Sequence, residues 1–262
     1  MIADLRGQRA LVTGSGTSGG MGATIAAVLV RQGADVAVAD IDVDGAAEVA
    51  ATIAGNTLVL ELDVASPESI ALAFSKLEEA WGTLDILVNN VGIGHAAQGS
   101  GESDWDATFR VNLMGTVRCS ERALAGMCER RHGKIVNIAS IAGHPARGTG
   151  GAYSVSKAAV LRYTKGLAVE VAPFSVNVNA VCPGAVWTGM QSGPFARPEE
   201  VDPRLAGLDP YDAFLEYYRP VTPLGRPQTA EEVGKAVAYL ASADAANITG
   251  QCLHVDGGAI RD

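Results

Sequence analysis

One stretch near the amino terminus constrains the fold of this chain more than any other, because an apolar run, a glycine-rich loop and a helical pattern follow one another directly. Residues 9–13 are mainly apolar, residues 14–22 contain five glycines, and residues 23–30 have the composition of a helix. A backbone that approaches a pyrophosphate closely needs glycine, and a helix N-terminus offers N–H groups and a partial positive charge to an anion. The order strand, loop, helix therefore predicts a dinucleotide site, with a plain turn between strand and helix as the alternative.

The same alternation of apolar runs and helical segments continues to the end of the chain. It predicts six further strands, at residues 34–40, 56–64, 84–88, 134–139, 174–181 and 251–256. Strands that alternate with helices of ten or more residues form a parallel sheet with right-handed crossovers. We therefore predict an α/β fold, a doubly wound parallel sheet of the Rossmann type in three layers. A length of 262 residues suits one domain spanning 1–262, and we expect no second domain.

The bulk composition limits the partners that the chain can have. Hydrophobic residues make up 48% and charged residues 19%, which is typical of a globular chain. A net charge of −9 argues against nucleic acid or an anionic membrane surface as a partner. The sequence shows no export signal and no apolar run of the ~18 residues needed to span a bilayer, so we expect a soluble, cytoplasmic protein. The four cysteines lack metal-ligand or C-x-x-C spacing and are predicted to be buried free thiols, without structural zinc or a disulfide.

An acidic residue ends the second predicted strand. Asp40 follows the loop glycines by 18 to 26 residues, where an acid can accept hydrogen bonds from both adenosine ribose hydroxyls. Asp42 and Asp44 come next, and no Lys or Arg occurs between Arg31 and Lys76 or within the glycine-rich loop. A 2′-phosphate at that corner would meet like charges without a countercharge, and such repulsion outweighs one lost hydrogen bond. The sequence therefore favours NAD over NADP, although Asp42 and Asp44 also suit the start of the following helix.

Other polar side chains follow the predicted strands. Asp63 lies at the carboxyl end of the third strand, where ligands bind in open α/β sheets. Asn89 and Asn90 end the fourth strand, and bonds that tie the sheet together are favoured over direct ligand contact. Asn112 lies amid apolar residues in the stretch 105–114, which is predicted to be helical. A buried amide needs partners, and one that finds water can anchor a proton path.

A serine, a tyrosine and a lysine form the candidate catalytic group. Ser140 ends the fifth strand, and Tyr153 and Lys157 are four residues apart in a segment predicted to be helical from Ala152, so their side chains leave one face of that helix. A tyrosine has an unperturbed pKa of ~10, and an ammonium ~4 Å away at an effective dielectric of ~20 favours the phenolate by up to ~4 kcal/mol, or ~3 pKa units. Tyr153 could then act as a general acid or base near pH 7, with Ser140 holding the reacting oxygen. A chance pairing on a helix is the alternative.

Residues 187–226 depart from the strand and helix pattern. They hold six prolines and six aromatic residues, and a long Pro-rich insertion with aromatic residues is typical of a lid or binding loop. We predict a substrate-binding lid here, with an oligomer contact as the alternative. His95, His144 and Arg147 lie in loops expected to open onto the same crevice, although a solvated loop position is favoured for each.

Several motifs together resemble those of the classical short-chain dehydrogenases/reductases over essentially the whole chain. They are Asn89-Asn90-x-Gly92, Ser140 thirteen residues before Tyr153, Tyr153-x-x-x-Lys157, Pro183-Gly184 with Thr188, and Ile248-Thr249-Gly250-Gln251 before Val255-Asp256-Gly257-Gly258. The resemblance implies that hydride passes between a secondary alcohol carbon and nicotinamide C4 while Tyr153 takes or gives the hydroxyl proton.

The resemblance also implies roles for individual residues. Lys157 would lower the pKa of Tyr153 and hydrogen-bond the nicotinamide ribose. Ser140 would position the substrate oxygen, and Asn112 would hold the water that connects Lys157 to bulk solvent. No metal is implied. The residues implied at the cofactor are Gly14, Gly20, Met21, Gly22, Asp40, Asp63, Val64, Asn90, Gly92, Tyr153, Lys157, Pro183, Gly184, Val186 and Thr188.

Two positions depart from the family pattern. Residues 15–19 separate Gly14 from Gly20, which makes the loop two residues longer than the Thr-Gly-x-x-x-Gly-x-Gly of the family and leaves open which of those five residues touch the phosphates. Val91 stands where alanine is usual and adds bulk beside the cofactor.

Three functions are compatible with these features. The leading hypothesis is an NAD-dependent dehydrogenase/ketone reductase for a small or medium, largely apolar secondary alcohol. An NADPH-dependent 3-oxoacyl-thioester reductase is the second, and a catalytically idle cofactor-binding scaffold is the third. The family likeness further suggests a homotetramer built partly on the helices that carry Asn112 and Tyr153.

Overall fold

The structure is a computed structural model, and it describes residues 3–94, 102–145 and 150–260. Its strands are β1 (Arg9–Thr13), β2 (Asp35–Asp40), β3 (Thr57–Glu61), β4 (Ile86–Asn89), β5 (Gly133–Ile138), β6 (Val176–Pro183) and β7 (Cys252–Val255). Its α-helices are α1 (Met21–Arg31), α2 (Val43–Thr52), α3 (Pro67–Trp81), α4 (Glu102–Thr108), α5 (Thr116–Arg130), α6 (Ala152–Val171), α7 (Gly189–Ser192), α8 (Pro198–Val201), α9 (Pro210–Tyr218) and α10 (Ala230–Ala241). Single 3-10 turns lie at Ile141–Gly143, Ala172–Phe174, Pro194–Ala196, Pro203–Leu205, Arg219–Val221 and Ala243–Ala245.

The strands form one parallel sheet in the order β3-β2-β1-β4-β5-β6-β7. The chain runs outward from β1 to β3 and then returns to place β4 beside β1, so the strand order reverses between these two strands. In open α/β sheets ligands bind at such a reversal, outside the carboxyl ends of the strands. The predicted doubly wound Rossmann sheet is confirmed. The third strand is shorter than the apolar run 56–64 indicated, because residues 62–64 have already left the sheet.

Two apolar layers cover the two faces of the sheet, because successive side chains of a strand point to opposite faces. Along β1, Val12 packs with α1 and α10 in one layer, and Leu11 packs with α3, α5 and α6 in the other. The central strands β1, β4 and β5 are mainly hydrophobic and buried, as a sheet covered on both faces requires. The three-layer architecture predicted from the sequence is therefore confirmed.

Local signals in the sequence fix where several helices begin. Ser66 precedes α3, its Oγ accepts a hydrogen bond of 3.2 Å from Ser69 N, and Pro67 occupies the first turn. At α10, Glu232 N donates to Thr229 Oγ1 while Thr229 N donates to the Glu232 carboxylate, which is a complete capping box. Each device satisfies backbone N–H groups that a helix start leaves unpaired.

The stretch 105–114, predicted to be one plain helix, is helical in three parts. Helix α4 ends at Thr108, a π-helical segment spans Phe109–Gly115, and α5 then begins at Thr116. π-Helical turns are rare and concentrate at functional sites. Here the segment contains Asn112, which is fully buried.

Residues 187–226 fold into short helices around an apolar cluster of their own. Phe195, Leu205, Ala213 and Phe214 are buried there. Trp187 lies edge-on to Phe214, with the ring centroids 5.1 Å apart. The insertion is therefore a packed subregion, which we call the lid region (residues 187–226).

The four cysteines are free thiols. Cys119 and Cys182 are buried as expected, whereas Cys128 and Cys252 are partly exposed, so the expectation of burial is wrong for the latter two. In the described part of the chain, no helix has the length and apolarity that a membrane crossing requires.

Candidate active site

A cavity of about 560 Å³ lies at the carboxyl edge of the sheet, where the strand order reverses between β1 and β4. The loop after β1, the ends of β2 and β4, and the start of α6 surround it. Its lining residues are Gly14, Thr17, Gly20, Met21, Gly22, Asp40, Ile41, Leu62, Asp63, Val64, Asn90, Val91, Gly92, Ile93, Val111, Ile138, Ala139, Tyr153, Lys157, Thr188, Gly189 and Met190. Twelve of the fifteen cofactor residues implied by the sequence line this one cavity, namely all except Pro183, Gly184 and Val186.

The glycine-rich loop approaches the cavity so closely that side chains would not fit. Gly14 has a φ of +66°, a left-handed conformation that favours glycine. A Cβ at Gly22 would collide with the Gly14 carbonyl oxygen, and Gly20 immediately precedes α1. The open backbone and the helix start together form a cradle that suits a pyrophosphate.

Two residues of the glycine-rich loop have structural roles. Ser15 is fully buried, where its Oγ donates 2.9 Å to Val12 O and accepts 3.0 Å from Ala39 N. Gly16 N donates 2.7 Å to Asp40 Oδ2. Ser15 and Gly16 thus attach the loop to β1 and β2, and of the five residues left open by the sequence only Thr17 lines the cavity.

Asp40 ends β2 and lines the cavity. Its two carboxylate oxygens accept bonds from Gly16 N and, at 3.2 Å, from Asp42 N. Each carboxylate oxygen can accept more than one hydrogen bond, so acceptor capacity toward a ligand remains. Lys157 is the one cation among the described lining residues, and it lies at the opposite end beside Tyr153.

The paired asparagines Asn89 and Asn90 make different structural hydrogen bonds. Asn89 Nδ2 donates 3.0 Å to Ser120 Oγ and 2.8 Å to Asn137 Oδ1. Asn90 Nδ2 donates 3.0 Å to Thr13 O and 2.9 Å to Gly14 O, so it ties β4 to the glycine-rich loop through backbone oxygens, as predicted.

Asn90 also supports a fit between the cavity and a dinucleotide. Its Oδ1 is buried without a hydrogen-bond partner in this structure, and the residue lines the cavity. A buried acceptor left unpaired costs about 1–3 kcal/mol. A donor group of a bound dinucleotide would satisfy it, and the glycine cradle leaves room for the phosphates, so the residues present fit a nicotinamide dinucleotide.

Asn112 lies behind the cavity wall. Its Oδ1 accepts 2.8 Å from Ile93 N, while its Nδ2 donates 2.9 Å to Ile93 O and 3.0 Å to Ser156 Oγ. Both amide hydrogens are therefore committed to protein groups. A Cβ added at Gly92 would lie 3.1 Å from Lys157 Nζ and 3.7 Å from Asn112 Oδ1, so these groups are near neighbours. The water that Asn112 is expected to hold stays a prediction.

Ser140, Tyr153 and Lys157 come together as the spacing predicted. Helix α6 begins at Ala152, which directs Tyr153 and Lys157 toward the carboxyl end of β5. Lys157 Nζ donates 2.9 Å to Ile138 O and lies 5.8 Å from the centre of the Tyr153 ring. A hydrogen bond joins the side chains of Ser140 and Tyr153. The three side chains thus form one cluster at the start of α6.

The pKa of Tyr153 moves in the opposite direction to the one expected. Burial raises it, and the hydrogen bond from Ser140 lowers it only in part. The expectation of a lowered pKa is wrong for Tyr153 in this structure, because burial outweighs the hydrogen bond and Lys157 bonds to the Ile138 carbonyl. That Lys157 favours the phenolate stays a prediction. Burial in turn lowers the pKa of Lys157 to about 8. The ammonium has no carboxylate within 4 Å among the described residues.

A smaller cavity of about 210 Å³ adjoins Tyr153 on the side of the lid region. It brings Ser140 and Tyr153 together with Gln191 and Tyr218, and Tyr218 Oη donates 3.3 Å to Gln191 Oε1. Sequence reasoning identified the lid region as a whole and missed Gln191, since no motif marks it. The residues that line this smaller cavity include Pro183, Gly184 and Val186, the three remaining cofactor residues. The full lining is Met21, Ala139, Ser140, Ile141, Ala142, Tyr153, Pro183, Gly184, Ala185, Val186, Thr188, Met190, Gln191 and Tyr218.

The three loop residues expected near the crevice have different outcomes. His95 and Arg147 lie outside the described residues. His144 follows the 3-10 turn after Ser140, and its ring lies edge-on to His254 with the centroids 5.6 Å apart. Neither cavity is lined by His144. Among the described residues, no group of three or more His, Cys, Asp or Glu side chains has metal-binding geometry.

The chain is similar to several known proteins over almost its whole length. A family profile described as enoyl-(acyl carrier protein) reductase matches residues 14–259. The 3-oxoacyl-[acyl-carrier-protein] reductase of Vibrio cholerae is 35% identical over 97% of this chain and 98% of its own. The 2-(S)-hydroxypropyl-CoM dehydrogenase 3 of Xanthobacter autotrophicus is 36% identical over 97% of each chain. The solved structure of a 3-ketoacyl-(acyl-carrier-protein) reductase from Brucella melitensis, complexed with NADH, has a TM-score of 0.83 and 30% identity, with 98% of this chain and 99% of that chain covered.

The fold and the site define a Rossmann-fold oxidoreductase. The chain belongs to the short-chain dehydrogenase/reductase family, which confirms the resemblance drawn from its motifs.

Proposed function

We propose that the enzyme is an NAD(H)-dependent dehydrogenase/reductase that interconverts a small or medium, largely apolar secondary alcohol and the corresponding ketone. The observation that carries the proposal is the convergence of Ser140, Tyr153 and Lys157 at the junction of the two cavities. The larger cavity has the glycine cradle and Asp40, and the smaller one leads to the lid region. A cofactor site and a substrate site would therefore meet at Tyr153.

The chain's own residues would handle the proton and the substrate oxygen. A bound nicotinamide supplies the hydride acceptor or donor. Tyr153 Oη takes the hydroxyl proton during oxidation and returns it during reduction, and Ser140 holds the same substrate oxygen by a hydrogen bond. Lys157, protonated at neutral pH with its lowered pKa of about 8, stabilises the phenolate of Tyr153 when that proton leaves. Its bond to Ile138 O keeps the ammonium close to the ring.

The lining of the smaller cavity supports an apolar substrate. Ile141, Ala142, Val186 and Met190 contribute hydrocarbon surface, and charged side chains are absent from its described lining. A volume of about 210 Å³ limits the group that this cavity can hold to a small one. Size and polarity together favour a compact ketone or alcohol over a charged sugar or a nucleotide.

Replacement of one hydroxyl tests the proposal. Tyr153→Phe removes the proton carrier and leaves the glycine cradle intact, so we expect turnover to fall by at least about 10³-fold, within reach of a lost general acid–base group. NADH binding, measured by fluorescence titration, should persist. Tyr163→Phe is the matched control, because Tyr163 lies on the same helix α6, is partly buried and lines neither cavity. Near-normal turnover of Tyr153→Phe would overturn the proposal.

A 3-oxoacyl-thioester reductase is the second candidate, and similarity to the Vibrio cholerae reductase favours it. It would differ from the first by a strong preference for NADPH and by activity on β-ketoacyl thioesters. A screen of secondary alcohols, ketones and an acetoacetyl thioester, each with NAD(H) and NADP(H), separates the two. Failure of every substrate despite measurable NADH binding would instead favour a catalytically idle scaffold.

The assembly and location are part of the same proposal. We infer a homotetramer in the cytoplasm, with helices α5 and α6 in its interfaces. Val169 on α6 is 75% exposed, and a large apolar side chain at the surface is consistent with a subunit contact. Light scattering after size exclusion should give four times the mass of the chain.

A further inference from the structure

A second cavity of about 560 Å³ lies at the amino edge of the sheet, opposite the candidate active site. Lys134 is the second residue of β5 and lies there, while Ile138 ends the same strand at the candidate active site. Residues that precede β1, β6 and β7 complete the cavity. Its volume falls in the range of roughly 300–1,000 Å³ that small-molecule sites occupy, and its lining contains more cations than carboxylates.

Lys134 is a buried cation without a carboxylate. Only 8% of the residue is exposed, and its Nζ donates 2.6 Å to Asn177 Oδ1. Asn177 is fixed in that orientation, because its Nδ2 donates 3.0 Å each to Ala246 O and Ile248 O. No carboxylate lies within 4 Å of Lys134 Nζ in the described part of the chain, and burial lowers the pKa of Lys134. An ammonium has three donors, so two are left for a ligand.

Two further basic residues line the same cavity. Arg131 Nη2 donates 2.7 Å to Pro173 O, which leaves most of the donor fork of its guanidinium unused. His132 Nε2 lies 3.1 Å from Gln8 Oε1. The one carboxylate among the described lining residues is Asp4, which Arg6 already binds at 2.6 Å. The cavity therefore carries a net positive charge, whereas the net charge of the whole chain is −9.

Two helical elements end at this cavity with a residue in the left-handed conformation. Arg131 and Ser175 have φ values of +53° and +57°, and among the described residues they are the only non-glycine residues with positive φ. Both line this cavity. Glycine would adopt either of these left-handed conformations at lower free energy. The chain nevertheless has an arginine and a serine at these two positions. Each of the two residues ends a helical element, Arg131 as the cap of α5 and Ser175 as the cap of the 3-10 turn Ala172–Phe174.

We propose that this cavity is a second ligand site, which binds the phosphate group of a small phosphomonoester between Lys134 and Arg131. A phosphate dianion presents several acceptor oxygens, which match an ammonium and a planar guanidinium that approach from β5 and the end of α5. The remaining volume, with Gln8, Ser175 and Asn177 along it, accommodates the polar group that carries the phosphate. The site does not depend on the proposed function, because it lies at the other edge of the sheet.

Calorimetric titration of the NADH-saturated enzyme tests this site, since NADH occupies the pyrophosphate cradle and removes it from competition. The probes are glycerol 3-phosphate, inorganic phosphate and acetate at constant ionic strength and pH 7.5. We expect saturable binding of glycerol 3-phosphate and weaker binding of inorganic phosphate. Inorganic phosphate binding at least as tightly would overturn the phosphomonoester assignment, and saturable acetate binding of similar affinity would overturn the phosphate assignment.

Three variants locate the binding. Lys134→Met should weaken glycerol 3-phosphate binding at least tenfold, whereas Lys76→Met, the same change at an exposed lysine on α3, should not. Arg131→Gly removes the guanidinium and suits the positive φ, so it should fold at least as well as the parent and still lose affinity. Should Lys134→Met fail to fold, Arg131→Gly decides alone. Parent affinity in Arg131→Gly, or no saturable binding to the parent enzyme, would overturn the proposal.

Discussion

Lys157 shows how one residue can serve the chemistry at the expense of stability. The side chain is 4% exposed and bonds to a neutral carbonyl, so its charge is poorly solvated. Burial lowers its pKa from the ordinary 10.5 to about 8. A buried ammonium is therefore held beside Tyr153 at neutral pH, where the proposed reaction needs a positive charge.

This arrangement predicts a pH-dependent stability effect for Lys157→Met. Below pH 8 both folded and unfolded chains are protonated, and the folded parent carries the full desolvation penalty, about 3 kcal/mol for a shift of this size. Between pH 8 and pH 10.5 the folded parent loses the proton while the unfolded chain keeps it, so the parent gains stability as pH rises. We expect Lys157→Met to be inactive yet more stable than the parent at pH 7, by less than the full penalty because Ile138 O loses its donor.

Urea unfolding at pH 7 and pH 10 measures the effect. The stability advantage of Lys157→Met should shrink between these two values. Lys76→Met, at an exposed site, should show no such change. An advantage that is independent of pH would contradict the assigned charge of Lys157.

Sequence reasoning at the residue scale succeeded where spacing alone decides a contact. The four-residue interval placed Tyr153 and Lys157 together, and Ser66 before Pro67 marked a helix start. It failed for the pKa of Tyr153. That value depends on whether the ammonium points at the phenol oxygen or at Ile138 O, and on how much water reaches the ring, and neither is encoded by spacing.

At the scale of elements, the glycine-rich loop and β2 act as one unit. Ser15 bonds to both β1 and β2, and Gly16 N bonds to Asp40. A Cβ at Gly16 would lie 2.7 Å from Asp40 Cβ, so the loop is packed against the carboxylate. The longer loop thereby fixes Asp40 at the cavity. The two-residue excess of the loop could be counted in the sequence, but the burial of Ser15 between the strands could not be predicted, because it depends on the Ala39 backbone.

Asp40→Asn tests whether this unit selects the cofactor. Asparagine keeps an acceptor for Gly16 N and removes the charge that would repel a 2′-phosphate. We expect the ratio of kcat/KM for NADPH over NADH to rise at least about tenfold, which corresponds to ~1.4 kcal/mol. Asp44→Asn, an equal charge change at an exposed position on α2, should alter the ratio much less. A parent enzyme that already prefers NADPH, or equal effects of the two variants, would contradict the role given to Asp40.

The order and type of most elements followed from periodicity, whereas the π-helical segment did not. Residues 109–115 have an ordinary helical composition, and nothing local distinguishes them. In the folded protein Asn112 is held by Ile93 and Ser156. These partners lie 19 and 44 residues away in the chain, so the local helix geometry accompanies tertiary contacts that a sequence window does not contain.

At the scale of the whole molecule, the apolar interior is divided. The layers on the two faces of the sheet contain residues from nearly every strand, whereas the lid region has a separate cluster centred on Phe195 and Phe214. Segments with few contacts to the main core can open independently of it. The composition of residues 187–226 predicted a lid or binding loop, but the packing of this region around its own apolar cluster became visible only in the structure.

Phe214→Ala and Phe74→Ala form a matched pair that tests this division, since each phenylalanine is 1% exposed. A buried Phe→Ala change costs about 3–5 kcal/mol. For Phe74, in the layer with α3 and α5, we expect this loss in the global free energy of unfolding. For Phe214→Ala we expect hydrogen exchange to accelerate within residues 187–226, while the global free energy of unfolding changes little.

The kcat/KM of Phe214→Ala should also fall at least tenfold with NADH binding retained, because Tyr218 and Gln191 line the smaller cavity. If Phe214→Ala lowered the global free energy of unfolding as much as Phe74→Ala does, the lid region and the sheet would unfold as one cooperative unit. Independent opening of the lid region would then be ruled out.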